Sequence, residues 1–246
     1  MASSRFVVLS TQRSGSTWFI DKLNHHPSVN TAGEILIHQA ALTETHRGRA
    51  LFENSDLATT RPKWRGMWRY LNQLYQREGH TGFKLMYQHI KERPMSLVYL
   101  LTKRVPVVHL IRRNQLRVMI SLQVVLQQLP KWGFTMDEKP PPMSPINLDT
   151  YSLIALLEEK YRRIDQVRRV LKMSLLPTVE VYYEDLLSSS EEFNRVYEFL
   201  GLPPNKTDRA SQYRQLITKP YREVLSNYEE VERTLADTPF ADLLSE

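Results

Sequence analysis

Residues 6–23 read FVVLSTQRSGSTWFIDKL and predict a strand, a tight turn and a helix in immediate succession. The apolar run Phe6–Leu9 indicates a buried strand, and the small residues within 11–17 indicate the turn that follows it. A turn of this kind directs backbone N–H groups and a helix N-terminus toward one point, where phosphate binds. The stretch therefore predicts a phosphate site between the strand and the helix.

The predicted turn is not the Walker A loop of the P-loop NTPases. That loop follows the pattern GxxxxGK[ST], and this chain lacks both its first glycine and its lysine. The basic residue of the turn is Arg13 instead. Its guanidinium is always charged and presents a planar fork of donors that matches phosphate geometry. We therefore expect a phosphate cradle in which arginine stands where a kinase has its lysine.

The composition of the whole chain bounds its class. A length of 246 residues suits one α/β domain with a sizeable core, so a single domain over residues 1–246 is expected. The formal net charge of +6 suits an anionic ligand, while the basic residues are spread out rather than clustered as in many nucleic-acid-binding tails. The absence of cysteine excludes disulfides and thiolate chemistry. With no signal peptide and no apolar run near the ~18 residues of a membrane span, a soluble cytoplasmic protein without a membrane partner is expected.

Hydrophobic patterns predict strands that alternate with helices. The strands are expected at Phe6–Ser10, Thr81–Leu85, Pro106–Ile111 and Thr178–Tyr183, with a short fifth at Val29–Ala32. The helices are expected at Arg65–Arg77, Asn114–Gln128, Thr150–Met173 and Ser190–Leu200, the last beginning with a serine cap and ending at Gly201. This alternation predicts a P-loop-type three-layer α/β/α fold with a central, mostly parallel sheet. Ligands of such sheets bind beyond the carboxyl ends of the strands, where residues 11–17, 112–113 and 184–185 are expected to meet.

The segment 130–149 departs from this alternation. It lacks periodicity and contains five prolines: Pro130, Pro140, Pro141, Pro142 and Pro145. It predicts a long loop, which is either a lid over the ligand site or a disordered segment.

A second basic motif follows the strand that is expected to end at Ile111. Arg113 stands at the strand end and Ser121 eight residues later, two turns into the predicted helix, so both side chains can face one phosphate. Alone this pattern has low specificity. Together with residues 11–17 it predicts one site for a phosphate chain and another for a separate phosphate of the same nucleotide.

With both motifs in view, the chain resembles the sulfotransferases that use 3′-phosphoadenosine 5′-phosphosulfate (PAPS). The stretch 13–18, RSGSTW, is similar to their 5′-phosphosulfate loop, and residues 113–121 have the spacing of their 3′-phosphate motif. Residues 181–186 and 199–202 are similar to the YEDL and FLGL segments of the family, and residues 227–231 to bacterial carbohydrate and Nod-factor-type members. The resemblance covers residues 5 to about 231. Arg13 replaces the lysine of the cytosolic small-molecule members, as in tyrosylprotein and several bacterial members, and Asn114-Gln115 replaces their Asp-Pro.

The resemblance implies an enzyme that transfers a sulfonate group from PAPS to a hydroxyl, less often an amine, by in-line displacement. Arg13 would lie against the transferring sulfonate, with help from Lys84. PAP would be the nucleotide product, and no metal would be required. The acceptor would be a small molecule, a saccharide or a peptide, and the sequence does not select among them.

The resemblance also implies how the nucleotide is held. The 5′-phosphate would receive hydrogen bonds from the turn residues Ser14, Gly15, Ser16 and Thr17. The 3′-phosphate would be held by Arg113 and Ser121. Three further side chains would contact or cover the nucleotide: Tyr183 at the adenine edge, Trp18 stacked on the ring, and Lys219 in a basic lid. Trp18 and Tyr183 fit buried core positions equally well.

A general base near the acceptor completes the chemistry, and two kinds of residue compete for this role. Glu34 ends a segment, residues 26–34, that resembles the His-Pro…Gly-Glu segment of tyrosylprotein sulfotransferases, whose glutamate is the base. A histidine is the base in the cytosolic small-molecule members, and the candidates here are His89, His38, His25 and His26. The Lys-Thr-His motif of those members is absent, so Glu34 is favoured.

Two other functions stay open on the sequence. A P-loop nucleotide kinase or NTPase shares the fold but needs the missing lysine and a magnesium-binding acid, for which Asp185 is a weak substitute. A non-catalytic nucleotide- or RNA-binding protein would agree with the basic pI, and residues 61–70 interleave basic and aromatic side chains. The acceptor pocket is expected near Ile35–Arg49, Lys63–Tyr75 and the 130–149 loop. A homo-oligomer is compatible with the sequence.

Overall fold

The sheet of this protein consists of five parallel strands: β1 (Ser4–Ser10), β2 (Val29–Ala32), β3 (His80–Met86), β4 (Val107–Ile111) and β5 (Thr178–Tyr182). Their order is β2-β3-β1-β4-β5, so β1 lies at the centre. The computed structural model describes residues 4–36, 64–76, 79–128, 142–205, 210–213 and 215–245. The predicted α/β fold with a parallel sheet is therefore confirmed, and each expected strand is present within two residues of its predicted bounds.

Ten α-helices are described in these ranges: α1 (Ser16–Leu23), α2 (Trp64–Leu74), α3 (Tyr87–Glu92), α4 (Met95–Lys103), α5 (Gln115–Gln128), α6 (Leu153–Ser174), α7 (Tyr183–Ser188), α8 (Ser190–Phe199), α9 (Tyr221–Val224) and α10 (Tyr228–Leu235). A 3₁₀ turn, Ala241–Leu244, follows them. Among the described helices, none combines the length and apolar character needed to cross a membrane.

The structure corrects three details of the predicted elements. Tyr183 begins helix α7 instead of ending the strand. The serine that caps α8 is Ser189, whose Oγ accepts the Glu191 N–H at 3.1 Å, rather than Ser190. Helices α3 and α4 were not predicted, because α4 reads as a nearly continuous apolar run that fits a strand or a helix equally well.

Strand β1 is buried from Phe6 to Ser10, as expected for a central parallel strand that is covered on both faces. Residues paired across parallel strands point to the same face, and Phe6 pairs with Gly82 of β3. A Cβ on Gly82 would lie 2.4 Å from the Phe6 ring. Because Gly82 has no side chain, it leaves the space into which the Phe6 ring packs.

The two faces of the sheet are covered by different helices. On one face, Phe6 and Val8 belong to a buried cluster that includes Phe19 of α1 and Val196 of α8. On the other face, the Phe83 ring contacts Tyr75, just after α2, and Tyr75 stacks on Tyr99 of α4. Burial raises the pKa of Tyr75 well above its ordinary value, and its hydroxyl donates to the Phe6 carbonyl at 2.8 Å.

Contacts between Cα atoms divide the chain into two compact units. The first contains Met1–Ile111 and Ser174–Ser211, and the second contains Arg112–Met173 and Gln212–Glu246. All five strands lie in the first unit. The single domain over residues 1–246 stays a prediction.

The second unit has its own apolar core, which includes Leu116 of α5, Leu157 of α6 and Val231 of α10. Asn227 ties the segment before α6 to this core. Its Oδ1 accepts the Leu148 N–H at 3.0 Å and its Nδ2 donates to the Leu148 carbonyl at 2.8 Å. Residues 144–149 are thus hydrogen-bonded within this unit, while 129–141, the greater part of the predicted lid, lie outside the described residues.

We expect Asn227→Ala to destabilise the protein. The substitution leaves both backbone groups of Leu148, a residue that is 3 % exposed, without their partner. An unsatisfied buried polar group costs about 1–3 kcal/mol, so the urea midpoint should fall measurably. Asp237→Ala, at an exposed residue of the same unit, is the control and should leave the midpoint in place. Equal midpoints for the two variants would show that Asn227 contributes nothing.

Candidate functional site

The turn between β1 and α1 has the geometry of an anion cradle. Gly15 occupies the N-cap position of α1 with φ +83°. The N-terminus of α1 has no side-chain cap, and its first turn contains no acidic residue. The Ser14 hydroxyl donates to the Thr11 carbonyl at 2.8 Å and so closes the turn from inside. Arg13, directly before Ser14, has φ 59°, in the left-handed region that non-glycine residues rarely occupy. The first N–H groups of α1 are thus left for a ligand rather than for a cap.

Two aromatic rings pack beside this turn. A Cβ on Gly15 would lie 2.2 Å from the Tyr183 ring, which shows that the ring lies directly against the turn backbone. The Trp18 ring meets Tyr183 edge-on at a centroid distance of 5.5 Å and meets Phe193 at 5.8 Å. Tyr183 is 4 % exposed and Trp18 is half-buried. Both rings therefore contribute to the core beside the turn, and their predicted contacts with adenine stay predictions.

Glu34 and Lys84 form an ion pair next to the turn. Lys84 Nζ lies 2.7 Å from Glu34 Oε1, and it donates to Thr17 Oγ1 at 3.4 Å. The Lys84 side chain is 7 % exposed and that of Glu34 is 16 % exposed. One ammonium group thus touches both the first turn of α1 and the predicted base.

The parallel pairing of β2 with β3 brings these two residues together. Ala32 pairs with Phe83, so the chain just beyond β2 runs alongside Lys84. The Lys84 N–H donates to the Gly33 carbonyl at 3.2 Å and fixes the start of the Glu34 segment. Lys84 lies within its strand, since β3 continues for two more residues to Met86. Its ammonium is buried because it extends from within the sheet.

Of the three candidate histidines that the structure describes, His89 is the one that lies beside Glu34. Its Nε2 is 3.9 Å from Glu34 Oε2, and its side chain is 1 % exposed. His25 and His26 lie between α1 and β2, at the amino edge of the parallel sheet and away from the turn after β1. His26 uses both ring nitrogens there, with Ser28 N–H at 3.1 Å and the Pro203 carbonyl at 3.2 Å. His38 lies outside the described residues.

The residues predicted for the 3′-phosphate lie in the second unit. Arg113 follows β4 and is exposed, and its carbonyl accepts the Tyr161 hydroxyl at 2.8 Å. Ser121 is 5 % exposed on α5. Lys219 is exposed and pairs with Glu223 at 3.4 Å. Within the first unit, the ends of β1, β4 and β5 are neighbours, because Ser10 pairs with Leu110 and Ile111 with Tyr182.

A second polar array, which was not predicted from the sequence, lies inside the first unit. His109 of β4 is 1 % exposed, and its Nδ1 lies 3.2 Å from Glu180 Oε2 while its Nε2 is hydrogen-bonded to the Tyr87 hydroxyl. The signal available in the sequence was a histidine in the middle of an apolar strand. In the described part of the chain, no group of three or more His, Asp or Glu side chains is arranged to hold a metal ion.

This chain is similar to known proteins in sequence and in fold. No protein-family model matches it. It is 26% identical to Nodulation protein H of Rhizobium meliloti over 243 residues, which cover 96% of this chain and 93% of that protein. The structure of mouse sulfotransferase SULT7A1 complexed with PAP is similar with a TM-score of 0.52 and 11% identity, over 99% of this chain and 88% of that chain. A sulfotransferase from Alicyclobacillus acidocaldarius gives a TM-score of 0.48 and 14% identity, over 96% and 97%.

These findings confirm the resemblance that the motifs indicated. The fold is similar to that of the mouse sulfotransferase, and the sequence is similar to that of Nodulation protein H over 96% of this chain.

Proposed function

We propose that this protein, whose motifs and fold are similar to those of sulfotransferases, transfers a sulfonate group from PAPS to a hydroxyl of a small- or medium-sized acceptor by in-line displacement. The single observation that carries the proposal is the position of Lys84. Its ammonium lies within hydrogen-bonding distance of both Thr17 in the anion cradle and the carboxylate of Glu34. A cation between a phosphate site and a base is what sulfonate transfer needs, because negative charge develops on the leaving nucleotide while the acceptor loses a proton.

Glu34 takes the role of the general base. The acceptor hydroxyl donates its proton to a Glu34 carboxylate oxygen as the bond from its own oxygen to sulfur forms. The carboxylate is suited to this role because its segment is fixed by β3, through the Lys84 amide and the Lys84 ammonium. A base that is held in place needs little rearrangement during the reaction.

Arg13 and Lys84 stabilise the leaving group. Lys84 lies beside the first turn of α1 and Arg13 belongs to the turn that precedes it, and charge-assisted hydrogen bonds from such cations are about twice as strong as neutral ones. The uncapped start of α1 adds N–H donors from Gly15, Ser16 and Thr17 for the 5′-phosphate. PAPS fits this donor set, because the turn offers backbone N–H groups and cations without any acidic residue in the first helical turn.

Arg113 and Ser121 hold the 3′-phosphate in this proposal, and this contact would distinguish PAPS from ATP. Trp18 and Tyr183, whose rings pack beside the turn, contact the adenine. Lys219 covers the nucleotide from the C-terminal part of the chain. PAP is the product, and the reaction needs no metal.

A transfer assay tests the proposal. The full chain is incubated with PAPS labelled with ³⁵S on the sulfonate and with acceptors from three groups: oligosaccharides, tyrosine peptides and phenolic natural products. Label transferred to one group, with stoichiometric release of PAP, is the expected result. Hydrolysis of ATP in place of transfer, with no labelled product from any group, would contradict the proposal.

We expect Arg113→Ala to weaken PAP binding by about 10- to 100-fold, since hydrogen bonds to charged groups contribute about 1.5–3 kcal/mol. Adenosine 5′-phosphosulfate, which lacks the 3′-phosphate, should bind the variant and the unchanged protein equally. Arg162→Ala removes another exposed arginine of the same unit and serves as the matched control. Equal PAP affinity in both variants would remove Arg113 from the site.

A further inference from the structure

His89 carries a hydrogen-bonding group that nothing in the described structure satisfies. Its Nδ1 accepts the Met86 N–H at 3.3 Å. Its Nε2 is buried and lacks a hydrogen-bond partner within the described residues. The nearest carboxylate is Glu34, whose Oε2 is 3.9 Å from Nε2. A buried polar atom without a partner is costly, so its retention calls for a reason.

The contact with Met86 fixes the tautomer of His89. A nitrogen that accepts an N–H bond carries no proton, so the neutral ring has its proton on Nε2. Burial lowers the pKa of His89, and this outweighs the nearby Glu34 carboxylate, which raises it. The ring is therefore neutral at neutral pH, and the nitrogen that faces Glu34 is a donor. A donor at that position cannot accept a proton from a substrate.

We propose that His89 is a positioning residue that donates its Nε2–H to Glu34 Oε2 and holds the carboxylate in place during sulfonate transfer. This inference rests on the proposed function of Glu34. It assigns His89 a role other than that of the base. The two donors approach different oxygens, with Lys84 on Oε1 and His89 on the side of Oε2.

The hold of Lys84 on Glu34 changes during the reaction. Its ammonium is shared between Thr17 and Glu34, and an anionic substrate in the cradle competes for the same charge. When Lys84 turns toward the substrate, its hold on Oε1 of Glu34 weakens. A movement of about 1 Å then brings Oε2 within hydrogen-bonding distance of His89 Nε2.

The groups around His89 and Glu34 have different roles. Lys84 also contacts the cradle, whereas His89 faces the Glu34 carboxylate. The charged groups that act on His89 are Glu34, Lys84 on β3, and Glu92 and Arg93 at the end of α3. Arg93 Nε donates to the Leu36 carbonyl at 3.2 Å and holds the far end of the Glu34 segment. Its guanidinium thus fixes the backbone, while His89 faces the carboxylate itself.

Kinetics of two variants test the proposal. His89→Leu removes the donor, and kcat should fall about 10- to 100-fold with the KM for PAPS nearly unchanged. In the profile of kcat against pH, the acidic limb should move to higher pH by about one unit, because a carboxylate that loses an N–H donor is more easily protonated. His89→Gln places an N–H near the same position and should restore both kcat and the pH at which the acidic limb falls. His80→Gln, on the same strand as Lys84 but at its opposite end, is the control.

A structural role for His89 would lower the rate without moving the acidic limb. That result, or full activity of His89→Leu, would overturn the proposal. Absence of transfer by the unchanged protein would instead overturn the proposed function.

Nuclear magnetic resonance of the full chain with ¹⁵N-labelled histidine tests the same contact without any turnover. The His89 signals, identified by their loss in His89→Gln, should show a proton on Nε2 and none on Nδ1. Glu34→Gln should shift the Nε2 resonance more than that of any other histidine. A proton on Nδ1, or an Nε2 resonance that does not shift in Glu34→Gln, would overturn the proposal even if the transfer assay succeeds.

Discussion

Glu34→Gln is expected to lower kcat by about 10²–10⁴-fold, the usual contribution of a general base, while PAP binding stays nearly unchanged. Glutamine keeps the shape of the side chain and an oxygen acceptor for the Lys84 ammonium, which lies 2.7 Å from Oε1 in the ion pair. It cannot take a proton from the acceptor. The loss should therefore appear in kcat with labelled PAPS and not in calorimetric titration with PAP.

A matched variant and a stability measurement accompany this prediction. Glu198→Gln makes the same chemical change at an exposed glutamate of α8 and should retain full activity. Because Glu34→Gln leaves the buried Lys84 ammonium without its counter-charge, thermal unfolding of the variant is measured alongside. Full activity of Glu34→Gln with normal stability would remove Glu34 from the role of base.

Gly15→Ala is expected to destabilise the protein by about 2–4 kcal/mol and to abolish PAP binding. About 1 kcal/mol comes from the φ of +83°, which alanine adopts with strain, and about 1–3 kcal/mol from the clash of its Cβ with the Tyr183 ring. The ring or the turn must shift to remove the clash. Either movement displaces the first N–H groups of α1, which the 5′-phosphate needs.

Two other glycines separate these contributions. Gly201 has φ +73° and open space where a Cβ would lie, so Gly201→Ala should cost only about 1 kcal/mol. Gly33 has neither a positive φ nor a neighbour within 4 Å of that position, so Gly33→Ala should be nearly neutral. Urea unfolding of the three variants measures the free energies. If Gly15→Ala is no worse than Gly201→Ala, the packing of Tyr183 against the turn is not required.

The strands were predictable because each is a short apolar run with a clear boundary. Phe6–Ser10 and Val107–Ile111 are buried on both faces, which requires nearly every side chain to be apolar. Helix α3 was missed because its six residues are too few for a 3.6-residue period to be visible. Local pattern therefore predicted the sheet better than the short helices that follow β3.

The candidate site was predictable in its residue types but not in its contacts. The turn at 13–17 is local, and its glycine and small residues indicate a phosphate site from the sequence alone. The pairing of Glu34 with Lys84 joins residues 50 positions apart, and it follows only from the register in which Ala32 pairs with Phe83. The tautomer of His89 depends on one backbone N–H, that of Met86, which no sequence pattern specifies.

Isothermal titration calorimetry of the full chain with PAP and with ADP, without magnesium, tests the proposed nucleotide most directly. The two ligands carry the same number of phosphates, and only PAP has one at the 3′ position. A PAPS-dependent sulfotransferase should bind PAP more tightly than ADP by about 10-fold or more, because the 3′-phosphate gains charge-assisted hydrogen bonds. ADP or ATP binding as tightly as PAP would contradict the sulfotransferase proposal and favour a P-loop kinase or NTPase.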